Sequence, residues 1–335
     1  MARLDPLRGS RGGGRSHRGR HRARHSNAAP DSSPGDSHGE GAHRDARPAG
    51  LRALDEPTVV TEPARRRRAG RNLPAAITVG VVLGGLVLAS LVVWRPAFLG
   101  VIVVAVGIGV WEMARAVRAT GAHPPLVPVL AGAVVMACLA WFSGPSALVL
   151  GLLLTVLATM VWRIADGPTG YHRDTNAAVL ITIYVPFLAG FAALLGSPED
   201  GAARVIVTLA AVVMSDTAGY VSGVLFGRRP MAPSVSPKKT WEGLAGSLGA
   251  TAIGAGVALP LLFDVPWWSG LVFGVAVSAA AVLGDLAESL LKRDLGVKDM
   301  SVLLPGHGGL MDRLDSILLA APTSYLLLTW LAPAP

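Results

Sequence analysis

Long apolar stretches alternate with short polar loops over most of this 335-residue chain. From Leu73 onward, nine of these stretches are long enough to cross a bilayer, since a transmembrane helix needs about 17–25 predominantly apolar residues. They cover residues 73–94, 97–113, 126–142, 146–162, 176–195, 203–226, 244–263, 267–284 and 314–332. The pattern predicts an all-α fold: a polytopic transmembrane bundle of about nine helices, within a domain that spans residues 72–335.

Residues 1–71 show no apolar periodicity and are rich in Arg, Gly, Ser and His. Such a segment buries too little apolar surface to offset the entropy lost on ordering, so we predict a disordered, Arg-rich cytoplasmic tail. Its basic clusters, among them Arg65 to Arg68, favour a solvated tail that an anionic lipid surface attracts, at about 1 kcal/mol per charge. Nucleic acid is the less favoured partner, and we expect none.

The composition supports a membrane protein rather than a soluble domain. Hydrophobic residues make up 51% of the chain and charged residues only 16%, whereas soluble domains have about 25% charged residues. The mean hydropathy is +0.49. Cys138 is the single cysteine, which excludes an intrachain disulfide and a cysteine-based zinc site.

Positive charges in the short loops predict the orientation of the bundle, because Lys and Arg concentrate on the cytoplasmic side. With a cytoplasmic tail, the outside loops carry only Arg95 and Arg204. The inside loops carry basic residues at 115, 118, 163, 173, 228, 229, 238, 239, 292, 293, 298 and 313. This agreement over eight loops supports the count of nine helices. We therefore expect the amino terminus inside and the carboxyl terminus outside.

Ionisable residues at membrane depth cost about 2.5–3.5 kcal/mol each on insertion scales, so they mark candidate functional sites. The eighth stretch is followed by GDLAESLLKRD, which places Asp285, Glu288 and Lys292 on one helix face. The ninth helix begins with GHGGLMDRLD, which places Asp312 and Asp315 three residues apart. These carboxylates form the most polar segment between two membrane helices.

Glycines precede the ninth helix. Gly308 and Gly309 permit close backbone approach, and the free N–H groups at a helix start favour phosphate. His307 stands apart from the other histidines, so it suits a phosphate contact or a structural turn better than a metal site.

Two further segments carry candidate residues. Asp216 lies inside the sixth stretch, in VMSDTAGYVSG, with Tyr220 four residues on and on the same face. Asp216 is either functional or a carboxylate satisfied by a neighbouring hydroxyl or Arg. The loop RRPMAPSVSPKKTWEG contains prolines that prevent a helix, and its Lys238 and Lys239 suit a polyanionic ligand. The alternative is that these lysines only mark a cytoplasmic loop.

Five carboxylates brought together would repel one another in a low dielectric unless a cation neutralised them. The set is Asp216, Asp285, Glu288, Asp312 and Asp315. Oxygen ligands shared with substrate phosphates suit Mg²⁺, and a second cation stays open. The sequence has neither a G-x-x-x-x-G-K-[ST] loop nor a G-x-G-x-x-G motif that opens a helix. The metal and the basic loops would therefore hold any nucleotide.

The order of these residues resembles the signature of the phosphatidate cytidylyltransferase family, also called CDP-diacylglycerol synthases. The resemblance is most specific in SLLKRDLGVKDMSVLLPGHGGLMDRLD, residues 289–315, and covers residues 73–332 loosely. The matching positions are Ser289, Lys292, Arg293, Lys298, Asp299, Pro305, His307, Gly308, Gly309, Asp312, Arg313 and Asp315. SPKKTWEG and the Asp216 helix followed by FGRRP are similar to two other family segments. The family often has Asn at the position of Ser215.

The resemblance implies that CTP reacts with phosphatidate from the bilayer to give CDP-diacylglycerol and diphosphate, at the cytoplasmic face of a bacterial inner membrane. For this reaction we expect Mg²⁺ on Asp285 and Asp312, with Asp216, Glu288 and Asp315 completing or orienting the shell. The expected catalytic residues are Asp285, Asp312, Lys292 and Arg313. The expected substrate-binding residues are Lys238, Lys239, Arg293, Lys298, His307, Gly308, Gly309 and Tyr220.

Three other classes fit the pattern less well. A secondary transporter would place its charges at the midplane of broken helices, commonly in inverted repeats. A CDP-alcohol phosphatidyltransferase would carry its aspartates in one D-G-x-x-A-R-type run, which the sequence lacks. A membrane anchor has no use for buried carboxylates. The sequence leaves both a monomer and a homodimer open.

Overall fold

The computed structural model of the protein describes residues 73–301, 303 and 308–334. The predicted disordered tail, residues 1–71, and the predicted substrate contact His307 lie outside these residues. The disorder of the tail and the role of His307 therefore stay predictions.

Helices make up nearly all of the described chain. In chain order the elements are α1 (Leu73–Val93), α2 (Arg95–Arg118), α3 (Leu126–Ser143), α4 (Pro145–Ala165), α5 (Tyr171–Thr182), α6 (Leu188–Gly196), α7 (Gly201–Phe226), β1 (Pro230–Ala232), β2 (Ser236–Thr240), α8 (Trp241–Phe263), α9 (Trp267–Asp294) and α10 (Met311–Leu331). A π-helical turn, Ile183–Phe187, joins α5 to α6 without a break. All nine predicted stretches are helical.

Eight helices in the described part of the chain are long and apolar enough to cross a membrane, when α5 and α6 are counted together. The first predicted stretch contributes a shorter apolar helix, Gly80–Val93. Large apolar side chains such as Leu153, Val224 and Leu261 stay exposed on these helices, as expected where lipid is the solvent. The structure confirms the prediction of an all-α, polytopic membrane protein.

Glycines allow α8, α9 and α10 to approach closely, as small residues do in membrane bundles. A Cβ added to Gly274 in α9 would lie only 2.7 Å from the Cα of Ala252 in α8. A Cβ on Gly284 would meet the Asp315 carbonyl oxygen and lie 3.3 Å from the Cα of Ser316 in α10. These contacts set the spacing of the helices that carry the polar segment.

Contacts between loops agree with the predicted alternation of the chain across the bundle. The Asp174 carboxylate, at the start of α5, accepts a hydrogen bond from the His123 N–H at 2.8 Å and joins two loops predicted to be inside. Arg204, at the start of α7, pairs with Asp200 at 2.7 Å and donates to the Ala332 carbonyl oxygen at 2.7 Å. This second contact joins two loops predicted to be outside.

Candidate active site

A cavity of about 320 Å³ lies between α7, α8, α9 and the β1–β2 hairpin. Its wall includes five residues selected from the sequence: Asp216, Tyr220, Lys238, Lys239 and Asp285. The structure thus brings together carboxylates and lysines from three segments that are far apart in sequence. Opposite charges in one cavity can bind a phosphorylated ligand and a cation together.

The basic loop is held against the start of α8 by short hydrogen bonds. The Thr240 hydroxyl caps α8 by accepting the Gly243 N–H at 3.1 Å. The Glu242 carboxylate accepts the N–H groups of Arg228 and Arg229 at 3.1 and 3.2 Å. The prolines of the basic loop predicted a non-helical segment, and the structure confirms it. The antiparallel pairing of β1 with β2 was not predicted. This hairpin presents both lysines to the cavity.

Lys239 already meets an acidic partner in the cavity. Its Nζ lies 2.6 Å from the Oδ2 of Asp285 and 3.4 Å from the Val282 carbonyl oxygen. Both side chains of the ion pair are partly exposed, at 22% and 33%. Solvent screening makes such a pair weak. The charges of a bound ligand can therefore replace either partner of the pair at small cost.

A second charge cluster is buried between α9 and α10. The Nζ of Lys292 lies 3.1 Å from Glu288 Oε1 and 2.9 Å from Asp312 Oδ1. The side chains of Glu288 and Asp312 are only 0% and 5% exposed. The two buried carboxylates therefore share one lysine, whose single charge offsets only one of theirs. Glu288 shares a helix with Asp285, yet it faces this cluster.

Asp312 also organises the start of α10. Its Oδ2 accepts the Gly309 N–H at 2.7 Å and the Met300 N–H at 3.1 Å. With Lys292 on Oδ1, both carboxylate oxygens have partners inside the protein. The predicted role of Asp312 as a Mg²⁺ ligand, and that of Gly309 as a substrate contact, stay predictions.

Glu112, in α2, is a functional candidate that the sequence reasoning missed. It is 0% exposed and accepts the N–H groups of Leu310 at 3.0 Å and Met311 at 2.8 Å. The Ser301 hydroxyl donates to the same carboxylate. The signal was present, because Glu112 is a carboxylate inside the predicted stretch 97–113. The rule that selected Asp216 selects Glu112 as well.

Asp216 and Asp315 complete the acidic surroundings of Asp285. Asp216 lines the same cavity as Asp285. The close contact of Gly284 with α10 holds Asp315 beside the end of α9. Glu288 and Asp312 pair with Lys292, and the convergence of all five carboxylates on one metal stays a prediction.

The hydroxyl of Ser215, beside Asp216, is used elsewhere. It lies 2.8 Å from the Ser278 hydroxyl, and the Ser247 hydroxyl donates to the Ser215 carbonyl oxygen at 2.7 Å. Ser215 is fully buried in this arrangement, whereas Asp216 is exposed to the cavity. The Ser215 hydroxyl therefore joins α7 to α9, and the Ser215 carbonyl oxygen joins α7 to α8.

The donor set fits Mg²⁺ only in part. In the described ranges, no three Asp, Glu, His or Cys side chains are grouped closely enough to hold a metal by themselves. Mg²⁺ is commonly held by one or two carboxylates together with substrate phosphates and water. Asp216 and Asp285, which line one cavity, match this incomplete type of site.

The other predicted substrate contacts lie around the cavity or outside it. Arg293 donates to the Val235 carbonyl oxygen at 3.4 Å and so joins α9 to the hairpin. Lys298 is exposed beyond the end of α9. Gly308 has a φ of +80°, which favours glycine, and a Cβ there would lie 2.7 Å from an Asp312 oxygen. Contacts of these residues with substrate stay predictions.

Comparison with known proteins matches the chain to one family. A family profile described as "Cytidylyltransferase family" matches residues 74–331. The phosphatidate cytidylyltransferase of Mycobacterium leprae is 42% identical over 284 residues, which cover 79% of this chain and 90% of that protein. The protein of the same name from Mycobacterium tuberculosis H37Rv is 40% identical over 277 residues, covering 79% and 84%. That from Haemophilus influenzae is 39% identical over 148 residues, covering 41% and 51%. The chain belongs to the cytidylyltransferase family.

Proposed function

We propose that the protein is a phosphatidate cytidylyltransferase, which converts CTP and phosphatidate into CDP-diacylglycerol and diphosphate. The observation that carries the proposal is the cavity that combines Asp216 and Asp285 with Lys238 and Lys239. The two mycobacterial relatives cover 79% of the chain. The family profile covers residues 74–331, which include the hairpin and the helices that carry these residues. Two anionic substrates and a cation suit this mixture of charges.

The reaction joins two polyanions, so its main obstacle is repulsion. An oxygen of the lipid phosphate attacks the α-phosphorus of CTP, and the bond from that phosphorus to the diphosphate breaks. The attacking phosphate is already ionised at neutral pH, so no general base is required. Lys238 and Lys239 in the hairpin orient the triphosphate and offset its charge, which is the main requirement of phosphoryl-type transfer.

Magnesium is the cofactor that this reaction and this donor set favour. We assign it to Asp285 and Asp216 at the cavity, with Asp315 orienting their oxygens. When bound there, it stabilises the negative charge of the leaving diphosphate. Lys292 joins Glu288 of α9 to Asp312 at the start of α10. The next residue, Arg313, is exposed and carries a guanidinium group of the kind that suits phosphate.

The proposed orientation places the cavity on the cytoplasmic side of a bacterial inner membrane. Basic residues of four predicted inside loops support it, since such loops stay in the cytoplasm. CTP would then enter from the cytoplasm, and phosphatidate would present its phosphate at the interface while its acyl chains remain in the bilayer. A homodimer and an anionic lipid surface for the basic tail stay predictions.

Radiolabel transfer tests the proposal. Purified protein in detergent receives phosphatidate, CTP labelled at the α-phosphorus, and Mg²⁺, and the label is followed into the organic phase. Asp285→Asn should reduce transfer strongly. Asp264→Asn is the matched control, because Asp264 is exposed at the end of α8 that lies away from the cavity. Its φ of 52° is one that Asn tolerates. Absence of label in the lipid, or equal activity of the two variants, would refute the proposal.

A further inference from the structure

Glu112 contacts both sides of the segment that connects α9 to α10. On one side the Ser301 hydroxyl donates to its carboxylate. On the other side the N–H groups of Leu310 and Met311 donate to its two oxygens at 3.0 and 2.8 Å. A single carboxylate from α2 therefore contacts the middle of this connection, at Ser301, and its junction with α10.

The carboxylate also fills the space beside Gly309. A Cβ added to Gly309 would lie 2.7 and 2.8 Å from the two Glu112 oxygens and 2.9 Å from the carbon between them. Gly309 is buried, and Glu112 is 0% exposed. The fit leaves no room for another group. The backbone at Gly309 and the Glu112 carboxylate therefore determine each other's position.

The first N–H groups of a helix have no partner within the helix and favour a negative charge. In α10 the carboxylate that satisfies them comes from a different membrane helix. Asp312, the residue after Met311, then reaches Gly309, Met300 and Lys292 with its two oxygens. The position of Glu112 thus sets the position of the Asp312–Lys292 pair.

We propose that Glu112 is a positioning residue for cytidylyl transfer, which holds the start of α10 so that Asp312 keeps its contact with Lys292 at the end of α9 and Arg313 keeps its place beside Asp312. This inference rests on the proposed function. Glu112 acts through backbone N–H groups and touches neither CTP nor lipid. Its loss should therefore change the rate of the bound complex rather than the affinity for CTP.

Glu112→Gln is the first test, because it keeps the volume and replaces one acceptor oxygen by an NH₂ group that cannot accept a backbone N–H. We expect kcat to fall about tenfold to a hundredfold, the equivalent of one lost charged hydrogen bond, with the KM for CTP within twofold. Val110→Ala is the matched control, since Val110 is 0% exposed on the same helix and its truncation lowers stability without removing an acceptor. If kcat falls equally in both variants at equal thermal stability, the inference is wrong.

Hydrogen exchange gives a readout that does not depend on activity. In Glu112→Gln the amides of Leu310 and Met311 should exchange at least about tenfold faster, while the amide of Leu318, deeper in α10, should keep its rate. Unchanged exchange at Leu310 and Met311 would refute the positioning role. If the wild-type protein transfers no label, the proposed function and the catalytic part of this inference fail together, and exchange still decides whether Glu112 holds α10.

A compensating pair sharpens the test. Gly309→Ala should lower kcat because its Cβ displaces the carboxylate. Glu112→Asp should lower kcat because the shorter side chain no longer reaches both N–H groups. Since the shortened acid leaves space where the new Cβ stands, the double variant should be less impaired than the product of the two single effects. Multiplicative losses would contradict the shared position of Glu112 and Gly309.

Discussion

Gly284→Ala tests whether the close approach of α9 to α10 positions the acidic residues. A Cβ on Gly284 would meet the Asp315 carbonyl oxygen and lie 3.3 Å from the Cα of Ser316. These are backbone atoms, which cannot rotate away, so the two helices must separate. Asp285 follows Gly284 directly, and the separation therefore moves Asp285 away from Asp315.

The expected losses of stability and of catalytic rate follow from the contact geometry. Overpacking a buried contact costs about 1–3 kcal/mol, so the thermal stability of Gly284→Ala should fall measurably. Relieving the backbone contact needs a displacement of about 1 Å, and a misplacement of that size reduces catalytic rates by on the order of a hundredfold. Activity should accordingly fall further than the loss of folded protein can explain.

Gly249→Ala is the matched control, because a Cβ on Gly249 of α8 would meet no atom within 4 Å. That variant should keep its activity and gain about 0.5–1 kcal/mol from the better helix former. Label transfer into lipid measures the activity of both, and thermal unfolding in detergent measures the folded fraction. Full activity in correctly folded Gly284→Ala would refute the reasoning, because the acidic residues would then tolerate a wider helix spacing.

Three further predictions concern charge. Lys292→Met leaves the buried Glu288 and Asp312 without their cation and should cost about 3–5 kcal/mol of stability. The unfolding temperature should fall accordingly, and adding Glu288→Gln should partly restore it. Lys239→Met should raise the KM for CTP about tenfold, the scale of one charged contact, whereas an unchanged KM would remove Lys239 from the nucleotide site. Chelation with EDTA should abolish label transfer and added Mg²⁺ should restore it, and transfer that persists in EDTA would contradict a metal-dependent site next to Asp285.

Apolar runs predicted the helices because burial in lipid depends on composition over about 20 residues. The ends of the helices follow local chemistry instead. The helix that contains the apolar run from 244 begins at Trp241, because Thr240 caps it there. The run that ends at 284 continues as helix to Asp294, because its polar end packs against α10. The π turn at Ile183–Phe187 depends on tertiary packing, which hydropathy does not record.

Helical spacing predicted which residues could share a face but not which partner each one meets. Asp285 and Glu288 were expected to act together, yet Asp285 pairs with Lys239 and Glu288 pairs with Lys292. Lys239 comes from the hairpin, and a long-range pair of this kind cannot be deduced from spacing. Glu288 and Lys292 lie four residues apart on α9, on the face that the sequence predicted. Glu112 carried the same signal as Asp216, a carboxylate at membrane depth. Only its partners, some 200 residues later in the chain, could not be deduced from spacing.

The contact between α2 and the start of α10 limits how this protein can be divided. The residues that resemble the family signature most specifically lie between 285 and 315. An engineer would therefore transfer that region, with the hairpin, to another protein. Transplanted alone, it would leave the buried amide groups of Leu310 and Met311 without the carboxylate that accepts their hydrogen bonds. A minimal active fragment must therefore include α2, and chimeras between relatives should exchange α2 together with the last two helices.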